Sequence, residues 1–289
     1  MTDLRTAARY RVIFLAMLGA MPLVAACGSS SPSTASPVGT AGQTSGAAPR
    51  SPAVTTPAGG SSAAAVSGRI TVFAAASLTG SFTAIGKAFE AAHPGTSVTF
   101  SFGASSTLAM QVTSGAPADV FASASPKNLA SVVSAGDADP GQTFATNTAE
   151  IAVNPGSKSN VTGLADLAKG GVKVSLCQPQ VPCGVLADAV LGKAGVTVNP
   201  VTRGLDVKTV LASVTSGEVD AGIVYVTDVK AAGSAVVGVA VPAADNASTA
   251  YPISVVKHTK NPALARAFTA YVLSDAGQSV LTQAGFTRP

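Results

Sequence analysis

The sequence predicts an α/β fold, and three features carry that reading. Apolar, β-rich runs recur along residues 68–289, each followed by residues at helical spacing. Short polar turns with Ser, Thr, Asp or Asn make the switch between the two periods. Gly and Pro stop the helical stretches, as at Gly115, Pro117, Gly217 and Gly285. Strands alternating with helices imply βαβ units, so mostly parallel sheets are expected. No internal repeat or heptad interrupts the order.

Residues 70–75 open the series as a buried strand. From Leu78 the period changes: Leu78, Phe82, Ile85 and Phe89 share one helix face, which runs to about His93 and Pro94. Ser77 stands at the switch. It is a good N-cap type, beside the free N–H groups of a first helical turn. A strand feeding such a helix start is a ready anion site, and a plain capping role accounts for Ser77 as well. Residues 98–102 form the next strand, and a Gly-Ala-Ser-Ser-Thr turn leads to a helix carrying Leu108, Met110, Gln111 and Val112. Ser105 and Ser106 therefore repeat the Ser77 arrangement.

A third strand is expected at 119–124 and a short helix at 128–134. Strands at 150–154 and 172–176 flank a short helix at 162–167 with Thr162 as its cap. Cys177-Gln-Pro-Gln-Val-Pro-Cys183-Gly184 then leads into a helix with Val185, Leu186, Ala189 and Val190, and Pro182 suits its start. Asp206 is expected to cap a helix with Val207, Val210, Leu211 and Val214, ended by Gly217. Residues 221–226 are a strand with Tyr225 near its end, and 236–241 and 251–256 are further strands. Asn261-Pro262 begins a C-terminal helix through Phe268, Tyr271 and Val272, continued from Asp275 to Gly285.

The N-terminus reads differently. Arg5, Arg9 and Arg11 precede an apolar run at residues 12–23, the pattern of a signal peptide at residues 1–26. The run is too short for a stable membrane span. It ends Val24-Ala25-Ala26-Cys27-Gly28, which resembles a bacterial lipobox with cleavage before Cys27 and acylation of its thiol. An ordinary signal peptide with a chance Cys is the alternative. Buried acyl chains contribute about 0.8 kcal/mol per CH₂, so several chains on Cys27 anchor firmly on the outer face of the cell membrane. Residues 28–67 are almost all Ser, Pro, Thr, Ala and Gly. Such a stretch cannot bury a core, so residues 27–67 are expected to form a disordered, lipid-anchored tether.

The 289 residues suffice for one large or two medium domains. The formal charge is +4, of which three Arg and one Asp in residues 1–26 account for two, so the mature chain is near neutral. No Lys/Arg cluster interleaved with aromatics is present, which argues against nucleic acid.

Several stretches together resemble the periplasmic molybdate-binding proteins of ABC transporters. Ile70-Thr-Val-Phe-Ala-Ala-Ala-Ser-Leu78 and Phe102-Gly-Ala-Ser-Ser-Thr-Leu108 look like that family's two ligand motifs. Gly115-Ala-Pro-Ala-Asp-Val-Phe121, Val181-Pro-Cys-Gly184, Asp206-Val207, Gly222-Ile-Val-Tyr225 and Tyr251-Pro252 follow in the expected order. The similarity covers about residues 68–289.

The resemblance implies a two-lobed periplasmic-binding-protein fold of type II, with a tetrahedral oxyanion in the cleft. Lobe 1 would be residues 68–146 and 248–289, and lobe 2 residues 147–247. Binding would use the hydroxyls of Ser77 and Ser105 with nearby N–H groups, the main-chain N–H groups of Cys183 and Val207, and the hydroxyl of Tyr225. The sequence departs from the family at Cys183, often Ala there; a main-chain contact tolerates the change. The implied protein is a monomeric, lipid-anchored binding protein, not an enzyme. It has no cofactor and no direct metal ligand, and it passes molybdate or tungstate to a membrane permease served by an ATPase subunit.

The chemistry of these donors points the same way. All are neutral, and helix ends of roughly half a positive charge each can offset a dianion without Lys or Arg. A site made only of donors prefers a fully deprotonated oxyanion over protonated phosphate, whose proton needs an acceptor. Asp206 is the nearest candidate acceptor, set against its N-cap role. Sulfate has the same charge and shape as molybdate, so cavity size must exclude it; the same fold binding sulfate, phosphate or another small anion is the alternative. Cys177 and Cys183 are close in an exported chain, which suggests a disulfide stiffening the Cys183 loop, against two free thiols or a metal site short of His. A hydrolase using Ser77 or Ser105 with His93 or His258 is the rival from another class. No Gly-x-Ser-x-Gly elbow surrounds either Ser, and both His are expected on the surface.

Overall fold

Strand β1 (Gly68–Ala75) pairs in parallel on both sides, with β2 (Thr96–Gly103) along its full length and with β3 (Val120–Ala122) at its end. This computed structural model describes residues 66–289. The expectations of a signal peptide, of acylation at Cys27 and of a tether over residues 27–65 lie outside the described residues. The last two residues of the expected tether, 66 and 67, belong instead to the folded part: Val66 packs on the core of the first half, and the Ser67 carbonyl accepts from Asn261 Nδ2 at 2.9 Å. β1 is buried on both faces, which its continuous apolar run foretells. Ile70 and Val72 face one core with Leu78, Phe82, Phe89 and Phe268. Phe73 faces another with Leu108, Val112, Phe121 and Leu129. The helices of this half are α1 (Thr79–Ala92), α2 (Ser105–Thr113) and α3 (Pro126–Ser134).

The chain then crosses on β4 (Gln142–Val153) into a second α/β unit. That unit holds β5 (Val174–Cys177), α4 (Pro182–Ala194), β6 (Thr202–Gly204), α5 (Val207–Thr215), β7 (Ala221–Tyr225), α6 (Val226–Ala232) and β8 (Val237–Ala240). Its own core gathers Ile151, Leu176, Val190, Val210 and Ile223. The chain returns on β9 (Ser248–Val255) and ends with α7 (Pro262–Leu273) and α8 (Asp275–Gln283). The strand order is β2-β1-β3-β9-β4-β7-β5-β6, with β8 beside β4. The α/β class and two-lobed periplasmic-binding-protein fold are as expected.

The expectation of mostly parallel sheets needs correction. β5 pairs in parallel with β6 and β7, as β1 does with its neighbours. Every pair made by β4 and β9 is antiparallel: β3–β9, β9–β4, β4–β7 and β4–β8. β4 joins β9 over residues 142–148 and β7 over 149–153, so one strand belongs to both halves. Strand–helix alternation does not reveal such crossover strands, because they carry no helix of their own between sheets.

Other differences are local. β4 starts at Gln142, not near residue 150, because its first half is polar and half-exposed. β6 and α6 were not expected; each is short, and α6 follows β7 with no turn residue between them. The last helix breaks at Ser274, whose hydroxyl accepts from the N–H of Gly277 and starts α8. Thr162 does not cap its turn. Its N–H and hydroxyl both donate to Asp166 Oδ2, at 2.7 and 2.8 Å, and Gly163 takes the cap position.

Candidate functional site

The turns that follow the parallel strands of both units converge on one place. After β1 a single 3-10 turn (Ala76–Leu78) precedes α1, and it moves the helix start past Ser77. Ser77 therefore does not cap α1, contrary to the capping reading. Its buried Oγ lies 2.9 Å from the hydroxyl of Tyr251 on β9. Ser105 is the first residue of α2 and also makes no capping bond. Its Oγ accepts from the main-chain N–H of Ala124 at 2.9 Å. With that oxygen engaged, the Ser105 proton points to a different partner. Ser106 turns away and lines a wider groove outside this place.

The second unit contributes three more turns. Cys177, at the end of β5, and Cys183, in the first turn of α4, are joined by a disulfide with Cα atoms 5.7 Å apart. The loop between them folds back on Gly184, where any Cβ would strike the carbonyl oxygen of Gln178. Asp206 caps α5 as expected, its Oδ1 accepting from the N–H and hydroxyl of Thr209 at 3.0 and 3.2 Å. That leaves the N–H of Val207 in the free first turn. β7 ends at Tyr225, whose N–H donates to Asp228 Oδ2 at 3.2 Å. Asp228 is fully buried and paired with Lys208 Nζ at 2.8 Å. Burial raises the Asp228 pKa despite the opposing Lys208 ammonium.

Ser77, Ser105, Cys183, Val207 and Tyr225 all line one cavity, with Ala124 and Asp206. The space open to the centre of a water-sized sphere is about 20 Å³. One water needs roughly 10–15 Å³ on that measure, so the cavity suits one compact particle, not a sugar or peptide. The halves meet around it: Ala76 and Ala104, from the first, pack into the hydrophobic core of the second.

The electrostatics are those of a donor cage. Among the lining residues Asp206 alone is charged, and its Oδ1 is engaged in the cap. The first turns of α2, α4 and α5 open toward the cavity, each with free N–H groups and a partial positive charge. The hydroxyl of Tyr225 is buried and has no hydrogen-bond partner among the described residues. Burial first, then the nearby Tyr251 and Asp228, push its pKa well above the usual phenol value. Tyr225 therefore stays neutral and keeps a proton to donate.

Sequence reasoning missed the partners behind these donors. Tyr251 was part of a motif with no role, yet it touches Ser77 from 174 residues away. Asn147, on β4, gives its amide to Thr227 Oγ1 at 2.8 Å and to the Tyr251 hydroxyl at 3.5 Å. No local pattern signals such contacts, since each spans two elements.

A family profile described as "Bacterial extracellular solute-binding protein" matches residues 70–287, nearly all of the folded part. The chain belongs to this family. As a solute-binding protein it is a binder, not an enzyme. The molybdate-binding protein ModA of Mycobacterium tuberculosis is 45% identical over 221 residues, covering 76% of this chain and 85% of that protein. A putative ABC transporter substrate-binding lipoprotein of Bacillus subtilis, YvgL, is 32% identical, covering 75% of this chain and 86% of its own. Among solved structures, the periplasmic molybdate-binding protein of Azotobacter vinelandii aligns with a TM-score of 0.67 and 22% identity, over 76% of this chain and 99% of that one.

The residues of this solute-binding protein also leave the hydrolase reading without the histidine base it calls for. Neither His lines the cavity. His93 is half-buried, not on the surface as expected, because its ring stacks on Phe89 with centroids 4.2 Å apart. His258 is exposed and faces Asp137 at 3.1 Å. Among the described residues no helix is long and apolar enough to cross a membrane.

Proposed function

We propose that this solute-binding protein captures molybdate, and tungstate with it, for an ABC importer. The observation that carries the reading is the cavity itself: neutral donors from both halves and no cation, with the Tyr225 hydroxyl buried and unpartnered. A buried hydroxyl without a partner is costly unless a ligand supplies an acceptor. The hydroxyls of Ser77, Ser105 and Tyr225 and the main-chain N–H groups of Cys183 and Val207 are the donors of this reading. A tetrahedral dianion offers acceptors in every direction and no proton. Hydrogenphosphate has a proton to place, and the one carboxylate in the lining, Asp206, already uses Oδ1 in its cap, so phosphate would have to reach Asp206 Oδ2.

The oxyanion stabilises the closed arrangement, because only there do both donor sets reach it. The closed form then docks on a membrane permease. A lipid on Cys27 and the Ser- and Pro-rich residues 28–65 keep a monomer tethered at the outer face of the cell membrane. The name of the M. tuberculosis relative supports molybdate as the ligand, and that of the B. subtilis relative supports a substrate-binding lipoprotein of an ABC transporter. Titration calorimetry with molybdate, tungstate, sulfate and phosphate tests the reading. Tight binding of the first two, with weak binding of the others, is expected. Absence of heat and of thermal shift with micromolar molybdate and tungstate would remove it.

A further inference from the structure

We propose that Tyr251 sets the polarity of Ser77, through a one-way chain of hydrogen bonds from Asn147 to Tyr251 to Ser77 and on to the bound anion. The inference rests on the oxyanion reading above and adds a positioning residue behind the donor set. A serine hydroxyl can donate or accept, so a cavity that offers donors to a proton-free anion needs something to decide for it. At Ser105 the main-chain N–H of Ala124 decides, because an amide N–H can only donate. At Ser77 the neighbour is another hydroxyl, Tyr251 at 2.9 Å, which by itself decides nothing.

Asn147 breaks the tie. Its Oδ1 accepts from the N–H of Thr148 at 3.1 Å, which orients the amide and turns Nδ2 toward Thr227 and Tyr251. An NH₂ group has no acceptor capacity, so the Tyr251 oxygen accepts, over a long 3.5 Å. Ser77 Oγ, at 2.9 Å, is nearer to the Tyr251 hydroxyl than the Asn147 amide is, and it takes the Tyr251 proton. With its oxygen receiving that proton, Ser77 sends its own into the cavity. Tyr251 and Asn147 are both almost fully buried, so water does not scramble the order. Burial also holds the Tyr251 pKa above the usual phenol value, which keeps the proton in place.

The chain makes Ser77 a donor only, so Ser77 offers no acceptor to an anion that must give a proton. Tyr251→Phe removes the hydroxyl and keeps the ring that packs on Phe144 and Phe286. Calorimetry of this variant should show molybdate affinity lowered about 3- to 10-fold, the usual worth of one hydrogen bond. Phosphate affinity at pH 7 should fall less or rise, because Ser77 regains the freedom to accept. In a Ser77→Ala background the same change should alter molybdate affinity by less than about twofold. Asn147→Ala provides a second route with the same expected coupling, should Tyr251→Phe fold poorly.

Wild-type affinity in Tyr251→Phe overturns the proposal. So does an equal loss with and without Ser77, or an unchanged molybdate-to-phosphate ratio. Failure of the wild-type protein to bind molybdate or tungstate removes the oxyanion reading itself, and this inference with it.

Discussion

The main-chain N–H of Ala124 donates to the hydroxyl oxygen of Ser105 across 2.9 Å, joining the loop after β3 to the first turn of α2. Both residues are buried. The bond fixes the serine as a donor toward the cavity, and it makes Ser105 answer for two things at once. Ser105→Ala should weaken molybdate binding by about 1–3 kcal/mol, as for a lost bond to a charged group. It should also lower stability by about 1–3 kcal/mol, since the Ala124 N–H is left buried without a partner. Calorimetry and thermal melts of the free protein read the two effects separately. Unchanged affinity would take Ser105 out of the site.

Tyr225 gives the opposite sign on stability. Its hydroxyl has no partner among the described residues, so folding strips it of water for no return. Tyr225→Phe should leave the free protein as stable as wild type or stabilise it by about 1 kcal/mol. The same change should weaken molybdate binding by about 1–3 kcal/mol. A variant that gains thermal stability while losing affinity is expected. Loss of stability would mean that the hydroxyl has a partner inside the protein.

The order of these elements was legible because period and punctuation are local. Leu78, Phe82, Ile85 and Phe89 mark α1 by spacing alone, and Asp206 marks the start of α5 by residue type alone. Five of the lining residues were legible through the motifs that resemble the family's, each beside a helix start. The partners were not. Tyr251 meets Ser77, and Asn147 meets Thr227, only because β4 and β9 cross between the halves. Ser77 looked like a cap because Ser is a good cap; one 3-10 turn shifted the helix start and freed its hydroxyl. The antiparallel pairing of β4 escaped for a related reason. Its first half, Gln-Thr-Phe-Ala-Thr-Asn-Thr, is polar enough to read as loop, and only its partners β9 and β7 make it a strand.

The disulfide leads to a prediction with two parts. Cys177 and Cys183 close a short loop, six residues apart, at the first turn of α4. Closing so short a loop limits the unfolded chain by about 2 kcal/mol in the chain-entropy account. Cys177→Ala combined with Cys183→Ala should therefore lower stability by about that amount. Binding should survive within a few fold, because the Cys183 position contributes its main-chain N–H, which Ala also carries. Peptide mass spectrometry after alkylation checks the bond: both residues should resist the reagent in denatured protein until it is reduced. Two alkylated thiols before reduction would refute it.

Alkaline pH should act through the two buried tyrosines. Burial raises the folded-state pKa of Tyr225 and of Tyr251 above the value of about 10 that they have in an unfolded chain. Below pH 10 both states hold these protons, and the stability they contribute is fully present. Above pH 10 the unfolded chain releases them while the folded protein keeps them. The unfolded state then binds fewer protons, so stability falls as pH rises. Each tyrosine contributes a slope of about 1.4 kcal/mol per pH unit there. Thermal melts from pH 8 to 11 should show a plateau followed by a steep loss. Tyr225→Phe and Tyr251→Phe should each flatten that loss by one tyrosine's share. Molybdate affinity should hold across the plateau, because the Tyr225 hydroxyl keeps its proton. A fall in affinity between pH 8 and 9.5, with the fold intact, would show that a group other than the neutral phenol governs binding.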